Sequence, residues 1–370
     1  MAKRRLQQLT ELGQSVWIDS LSREMLESGE LERLIGEDSV SGVTSNPTIF
    51  QKALAEGDWY DSELRELASL DKTSEIFFRL AENDVRQACD ILRPIHEKTG
   101  GIDGYVSLEV DPTLAYDSES TYTQTLRLHS EVDRPNLYVK IPATRPGLPA
   151  IEDAIAAGHS VNITLIFSLQ RYTEVVDAYL RGLERRVAGA GDVSQINSVA
   201  RFFVSRVDSE ADKRLEAIGS PEALALRGKL AVANAKLAYR HYQEVFSSER
   251  WQYLVSKGAR AQRCLWASTS TKNPAYPDTL YVSELIGPDT VNTMPIETVR
   301  AFQDHGTAAV TLTQGVEEAK LLLEQIEAAG VSYDEVVDRL EAEGVQKFAD
   351  SFAALLNGIE TKLKKLEVSR

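Results

Sequence analysis

Cysteine is nearly absent from this chain: Cys89 and Cys264 are the two in 370 residues. Two thiols cannot build a disulfide scaffold or a four-cysteine zinc site, and both read as inert apolar fillers. Histidine is almost as scarce. His96, His129, His159, His241 and His305 stand far apart, with no HxH or HxxxH spacing. No catalytic zinc or other metal site is expected from them. No run of 18 apolar residues is present, so no membrane span is expected. The opening Met-Ala-Lys-Arg-Arg-Leu-Gln-Gln is basic but lacks an apolar h-region. That predicts no signal peptide and a cytoplasmic location. Positive charge is also in deficit, with 41 Lys+Arg against 56 Asp+Glu and a formal net charge of −15. An acidic chain suits nucleic acid poorly, because phosphate neutralisation needs a basic surface. A phosphorylated small molecule needs only a local cluster of Arg, Lys and backbone N–H groups, and that class stays open.

Eight short β-branched or apolar runs stand out, at 16–19, 42–46, 105–110, 137–141, 161–167, 202–207, 264–268 and 290–294. Between them lie stretches of helical periodicity at 74–98, 118–132, 147–157, 168–187, 221–245 and 278–285. Strand–helix alternation repeated this often predicts a parallel sheet with helices outside. Eight units close naturally into an α/β fold of the (β/α)₈ TIM-barrel type. An open doubly wound sheet is the weaker alternative, because no Gly-rich nucleotide loop follows the first run. Residues 52–99 read as a helical insertion after the second strand. Acidic amphipathic stretches at 316–329, 332–343 and 345–366 read as C-terminal helices (316–370) on the barrel's outside. Residues 1–370 are therefore expected to form one domain.

Active sites of such barrels lie at the C-terminal ends of the strands. Polar groups inside or ending the runs are the candidates: Asp19, Thr44, Ser45, Asn46, Glu109, Lys140, Asn162, Thr164, Arg206 and Ser268. Lys140 is the sharpest. Leu-Tyr-Val-Lys-Ile-Pro-Ala sets an ammonium in an apolar strand, where burial lowers its pKa and frees an amine able to attack a carbonyl. The plain alternative is a lysine that snorkels or pairs with a carboxylate. Asp19 also reads as a helix N-cap, Glu109 as half of a structural ion pair, and Arg206 as a partner of Asp208. The weight lies in their joint occurrence, since Schiff-base chemistry needs carboxylates for several proton transfers.

The motifs resemble those of the transaldolase family, in its longer bacterial form. Val-Thr-Ser-Asn-Pro-Thr-Ile-Phe (43–50) resembles the signature after the second strand, and Tyr-Val-Lys-Ile-Pro-Ala-Thr (138–144) the active-site lysine motif. The segments at 104–112, 161–168, 202–208, 265–274 and 289–295 resemble the family in order and spacing. The resemblance implies a class I aldolase-type barrel without metal or organic cofactor. It implies transfer of a dihydroxyacetone unit from sedoheptulose 7-phosphate to glyceraldehyde 3-phosphate, giving erythrose 4-phosphate and fructose 6-phosphate in the non-oxidative pentose phosphate pathway. By the same resemblance Lys140 forms the Schiff base and Asp19 moves the donor's C4-hydroxyl proton. Glu109 and Thr164 hold a proton-shuttling water, while Asn46, Asn162 and Thr44 line the dihydroxyacetone pocket. Arg206 and Ser268 bind phosphate, and Lys272 supplies a second phosphate charge where shorter members carry an arginine. Arg201 departs from the serine of many relatives; it either adds phosphate affinity or points outward. Two rivals remain. One is a free aldolase on the same fold that releases dihydroxyacetone, whose members are shorter and lack a match to Glu109. The other is a non-catalytic barrel.

Overall fold

The computed structural model describes residues 4–45 and 47–368. Eight parallel strands close into a barrel in chain order. They are β1 (Gln14–Ile18), β2 (Val40–Thr44), β3 (Val106–Glu109), β4 (Leu137–Pro142), β5 (Val161–Ile166), β6 (Ser198–Phe203), β7 (Arg263–Ala267) and β8 (Thr290–Met294). β8 pairs back onto β1. The expected TIM barrel is the observed one.

The lower half of the barrel is plugged. Tyr105 and Tyr138 stack with ring centroids 4.0 Å apart, and Trp17 lies 6.1 Å from Tyr138. Room for the indole comes from Gly42, where a Cβ would stand 2.4 Å from Trp17. Side chains alternate along a strand. One step above this aromatic layer, at i+2, stand Asp19 and Lys140, nearer the C-terminal mouth.

The sixth strand corrects the sequence reading. The run expected at 202–207 is displaced to Ser198–Phe203, and Ser205–Ile218 is already helix. Ser198 and Arg201 are buried polar residues within β6, and they interrupt the apolar signal by which a strand is recognised. Val204 turns the chain to helical ψ, so Arg206 sits in the first turn of a helix rather than in a strand.

The insertion forms helices Pro47–Glu56, Asp61–Leu67 and Thr73–Lys98. The last buries Ile76, Phe77, Leu80, Val85, Ala88 and Leu92. Arg23, opening the short helix Arg23–Glu27 that follows β1, ties to the insertion with Nε 2.5 Å from Asp84 and Nη2 2.8 Å from Glu63.

The C-terminal stretches also differ from expectation. Val316–Ala328 is one helix, but the next two stretches fuse into a single 36-residue helix, Tyr333–Val368. The gap between those two stretches falls at Gly344. A helix-interior glycine costs only about 1 kcal/mol relative to alanine, and here its missing Cβ serves close approach. A Cβ at Gly344 would lie 2.9 Å from Leu165 Cδ2. The helix therefore lies against the end of β5 and crosses the mouth instead of the outer wall. It sets Phe348 over Lys140, with Nζ 5.6 Å from the ring centroid, and Phe352 against Phe77 at 5.4 Å. Gly344→Leu is expected to cost about 1–3 kcal/mol through overpacking, read as a lowered urea midpoint. Gly344→Ala should stay near neutral, because its helix preference offsets a contact with a movable methyl.

Candidate active site

Strand register brings the central groups to one level. Glu109 of β3 is paired with Lys140 of β4, and Lys140 with Asn162 of β5. Lys140 is fully buried. Its Nζ lies 2.8 Å from Glu109 Oε2 and donates to the Ser45 carbonyl at 3.0 Å. Burial pushes the ammonium pKa below its ordinary value. The Glu109 and Asp19 charges oppose that shift, and the Arg201 charge adds to it. The snorkelling alternative fails, because Nζ never reaches solvent.

Asp19 follows β1, its N–H donating to Met294 O at 2.9 Å. It is not the cap of the next helix; Ser22 fills that role by accepting from Met25 N. The Asp19 carboxylate instead turns into the mouth. Oδ1 accepts from Thr44 Oγ1 at 2.6 Å and Oδ2 from Arg201 Nη2 at 2.9 Å. Thr44 Oγ1 is also 3.0 Å from Thr293 Oγ1. Asn46 lies outside the described residues.

Several buried polar atoms here have no protein hydrogen-bond partner: Glu109 Oε1, Asn162 Oδ1, Thr164 Oγ1 and Arg201 Nε. Buried polar groups normally find partners, so these atoms are suited to water or ligand. Asn162 itself is oriented by donating to Ser107 Oγ at 2.9 Å. Just after Thr164 the β5–β6 register shifts between Ile163 and Ile166, and Leu165 takes φ +62°. Such bulges re-aim strand-end side chains beside functional sites.

The cationic side lies over β6 and β7. The Arg206 guanidinium sits 5.0 Å from the Phe203 ring centroid. Its expected partner Asp208 is engaged elsewhere, accepting from Ala231 N at 2.7 Å and Tyr281 Oη at 2.8 Å. Burial, then the neighbouring Arg201 charge, push the Arg206 pKa down. Ser268 directly follows β7 at φ +55°, its Oγ 2.9 Å from Ser205 Oγ. Lys272 lies at the rim with Nζ 2.6 Å from Ser270 Oγ. Partial desolvation and the Arg206 charge lower its pKa. Lys140, Arg201, Arg206 and Lys272 thus share a neighbourhood with Asp19.

Arg201 is the residue whose orientation the sequence left open. It points inward, 3% exposed. A strand placed at 198–203 would have revealed it, since Arg201 and Phe203 then share a face. Phe348 carried no comparable signal; its partner is more than 200 positions away. Among the described residues no group of three or more His, Cys, Asp or Glu is placed to hold a metal ion. Among the same residues no helix is long and apolar enough to cross a membrane.

Fold and site together define a (β/α)₈ barrel with a buried lysine–carboxylate centre beneath a cationic rim. The profile of the family described as Transaldolase/Fructose-6-phosphate aldolase matches residues 16–359. The chain is 55% identical over 360 residues to a protein named "Transaldolase" from Thermobifida fusca, covering 97% of this chain and 98% of that one. It is 52% identical over 367 residues to "Transaldolase 2" from Streptomyces coelicolor, covering 99% of each. It is 52% identical over 369 residues to "Transaldolase" from Mycobacterium ulcerans, covering 98% of each. The chain belongs to the transaldolase/fructose-6-phosphate aldolase family.

Proposed function

We propose that the chain is a transaldolase, a transferase that moves a dihydroxyacetone unit from sedoheptulose 7-phosphate to glyceraldehyde 3-phosphate. The observation that carries the reading is the fully buried Lys140 with Nζ 2.8 Å from Glu109, beside an Asp19 held at the same mouth. The neutral Lys140 amine adds to the donor's C2 carbonyl. The carbinolamine loses water to give a protonated imine, with Glu109 and Thr164 relaying protons through an ordered water. Asp19 then takes the C4-hydroxyl proton as the C3–C4 bond breaks. The electron pair enters the iminium and leaves a neutral enamine, and the aldose phosphate departs. Asn162, Asn46 and Thr44 hold the enamine, each hydrogen bond contributing about 1 kcal/mol net. An arriving aldehyde is attacked by the enamine carbon, Asp19 returns the proton, and hydrolysis frees Lys140.

Arg206, Ser268 and Lys272 are assigned to the phosphate. Arg201, Arg206 and Lys272 concentrate positive charge at this end of the barrel in a chain of net charge −15. That favours phosphorylated sugars over nucleic acid. The imine is itself the electron sink, so the steps written need no metal or organic cofactor. We place the activity in the cytoplasm, in the non-oxidative pentose phosphate pathway, with residues 1–370 acting as one unit. Two features favour transfer over release as a free aldolase: Glu109 is present, and the C-terminal helix lays Phe348 over the lysine and shields the enamine from bulk water. Fed fructose 6-phosphate and erythrose 4-phosphate, the protein should form sedoheptulose 7-phosphate with little free dihydroxyacetone. Predominant release of dihydroxyacetone would sink the transferase reading.

A further inference from the structure

β1 and β6 are not neighbours in the barrel. The Arg201–Asp19 contact at 2.9 Å therefore spans the barrel's interior rather than an edge between paired strands. Arg201 is buried and Asp19 partly so, with side chains 3% and 17% exposed. Arg201 takes Asp19 Oδ2 while Thr44 takes Oδ1. Both oxygens are thus tied, and rotation of the carboxylate is blocked. The guanidinium is fixed in turn. Its carbon lies 5.3 Å from the centroid of Phe203, two residues on along the same strand face. Its Nε is buried without a partner, so the group is not consumed by structural bonding.

A stability role explains this arrangement poorly. A buried ion pair is often matched by apolar residues of similar volume, and the position is the level of the barrel occupied by Lys140. Arg201 is close enough for its charge to lower the Lys140 pKa. The contact this second cation makes is with the neighbouring carboxylate, Nη2 to Asp19 Oδ2.

Resting on the transaldolase reading, we propose that Arg201 is a positioning residue for carbon–carbon cleavage. It clamps the Asp19 carboxylate across the barrel so that one oxygen faces the donor's C4 hydroxyl. Lysine would keep the charge but lose the planar contact with Phe203 and the fixed direction of the N–H. Imine formation, which proceeds at Lys140 and Glu109, does not require this clamp; cleavage does.

The two steps separate in one experiment. The protein is mixed with fructose 6-phosphate, reduced with borohydride at timed intervals, and the Lys140 peptide is weighed. The unsubstituted protein should pass rapidly to a three-carbon adduct. Arg201→Met should accumulate the six-carbon phosphate adduct, with kcat lowered on the order of 10²-fold and KM changed by less than about threefold. Arg201→Lys, which keeps the charge if the methionine variant does not fold, should show the same accumulation more weakly. Asp19→Asn should accumulate the same adduct, and adding Arg201→Met to it should lower kcat little further, since groups acting as a unit are non-additive. The proposal is overturned if Arg201→Lys gives the three-carbon adduct at the unsubstituted rate. It is equally overturned if KM rises about tenfold or more at unchanged kcat, which is the signature of substrate binding. Absence of any Lys140 adduct in the unsubstituted protein would instead overturn the transaldolase reading itself.

Discussion

Lys140→Ala should lower turnover by on the order of 10⁴–10⁶-fold, the range seen when a covalent nucleophile is removed, and should abolish borohydride trapping of a ketose phosphate. The secondary structure should persist. β4 is held by ladders to β3 and β5, and alanine leaves those backbone bonds untouched. Stability will fall, because the substitution strips the partner from a Glu109 that is itself buried. Breaking a buried pair costs about 3–5 kcal/mol when the remaining charge is uncompensated. The Lys140→Ala/Glu109→Gln double variant should therefore regain stability while staying inactive. Stability would then recover without activity. A lysine kept only for an ion pair predicts the reverse: recovery of function along with the fold.

Much of the barrel and of its reactive centre was readable from local pattern. Leu137–Pro142 announced itself because a lysine in an apolar strand conflicts with the hydrophobic effect unless chemistry needs it there. The residues of the two pairs Asp19–Thr44 and Glu109–Lys140 all end or interrupt apolar runs, and barrels place their active sites at the strand ends. Arg206 was misplaced by one element, because Ser198 and Arg201 weaken the strand signal of β6 while Phe202–Phe203 strengthens it too late. The separation of 332–343 from 345–366 fails for a different reason. Local propensity treats glycine as punctuation, yet the constraint here is a tertiary contact with Leu165. No local rule contains it. The Arg201–Asp19 bridge, 182 positions apart in sequence, belongs to the same category: residue type identifies a cation, but only barrel closure decides which carboxylate it meets.

Glu109→Gln separates the two things a carboxylate does for an amine. The substitution keeps the size of the side chain and removes the charge 2.8 Å from Nζ. Glu109 now opposes the burial that depresses the Lys140 pKa. With that opposition gone, desolvation and the Arg201 charge act almost alone, and the amine should become neutral at lower pH than before. If availability of the amine limited the reaction, the variant would be faster near neutral pH. A proton relay predicts the contrary. Carbinolamine formation and its dehydration each need a proton moved, and an amide cannot cycle one. Turnover should fall by about 10²–10⁴-fold, or about 3–5 kcal/mol of barrier. The pH dependence of borohydride trapping should meanwhile shift toward acid. Near-normal turnover would remove Glu109 from the relay. A fall in turnover with no acid shift in trapping would show that its charge does not govern Lys140.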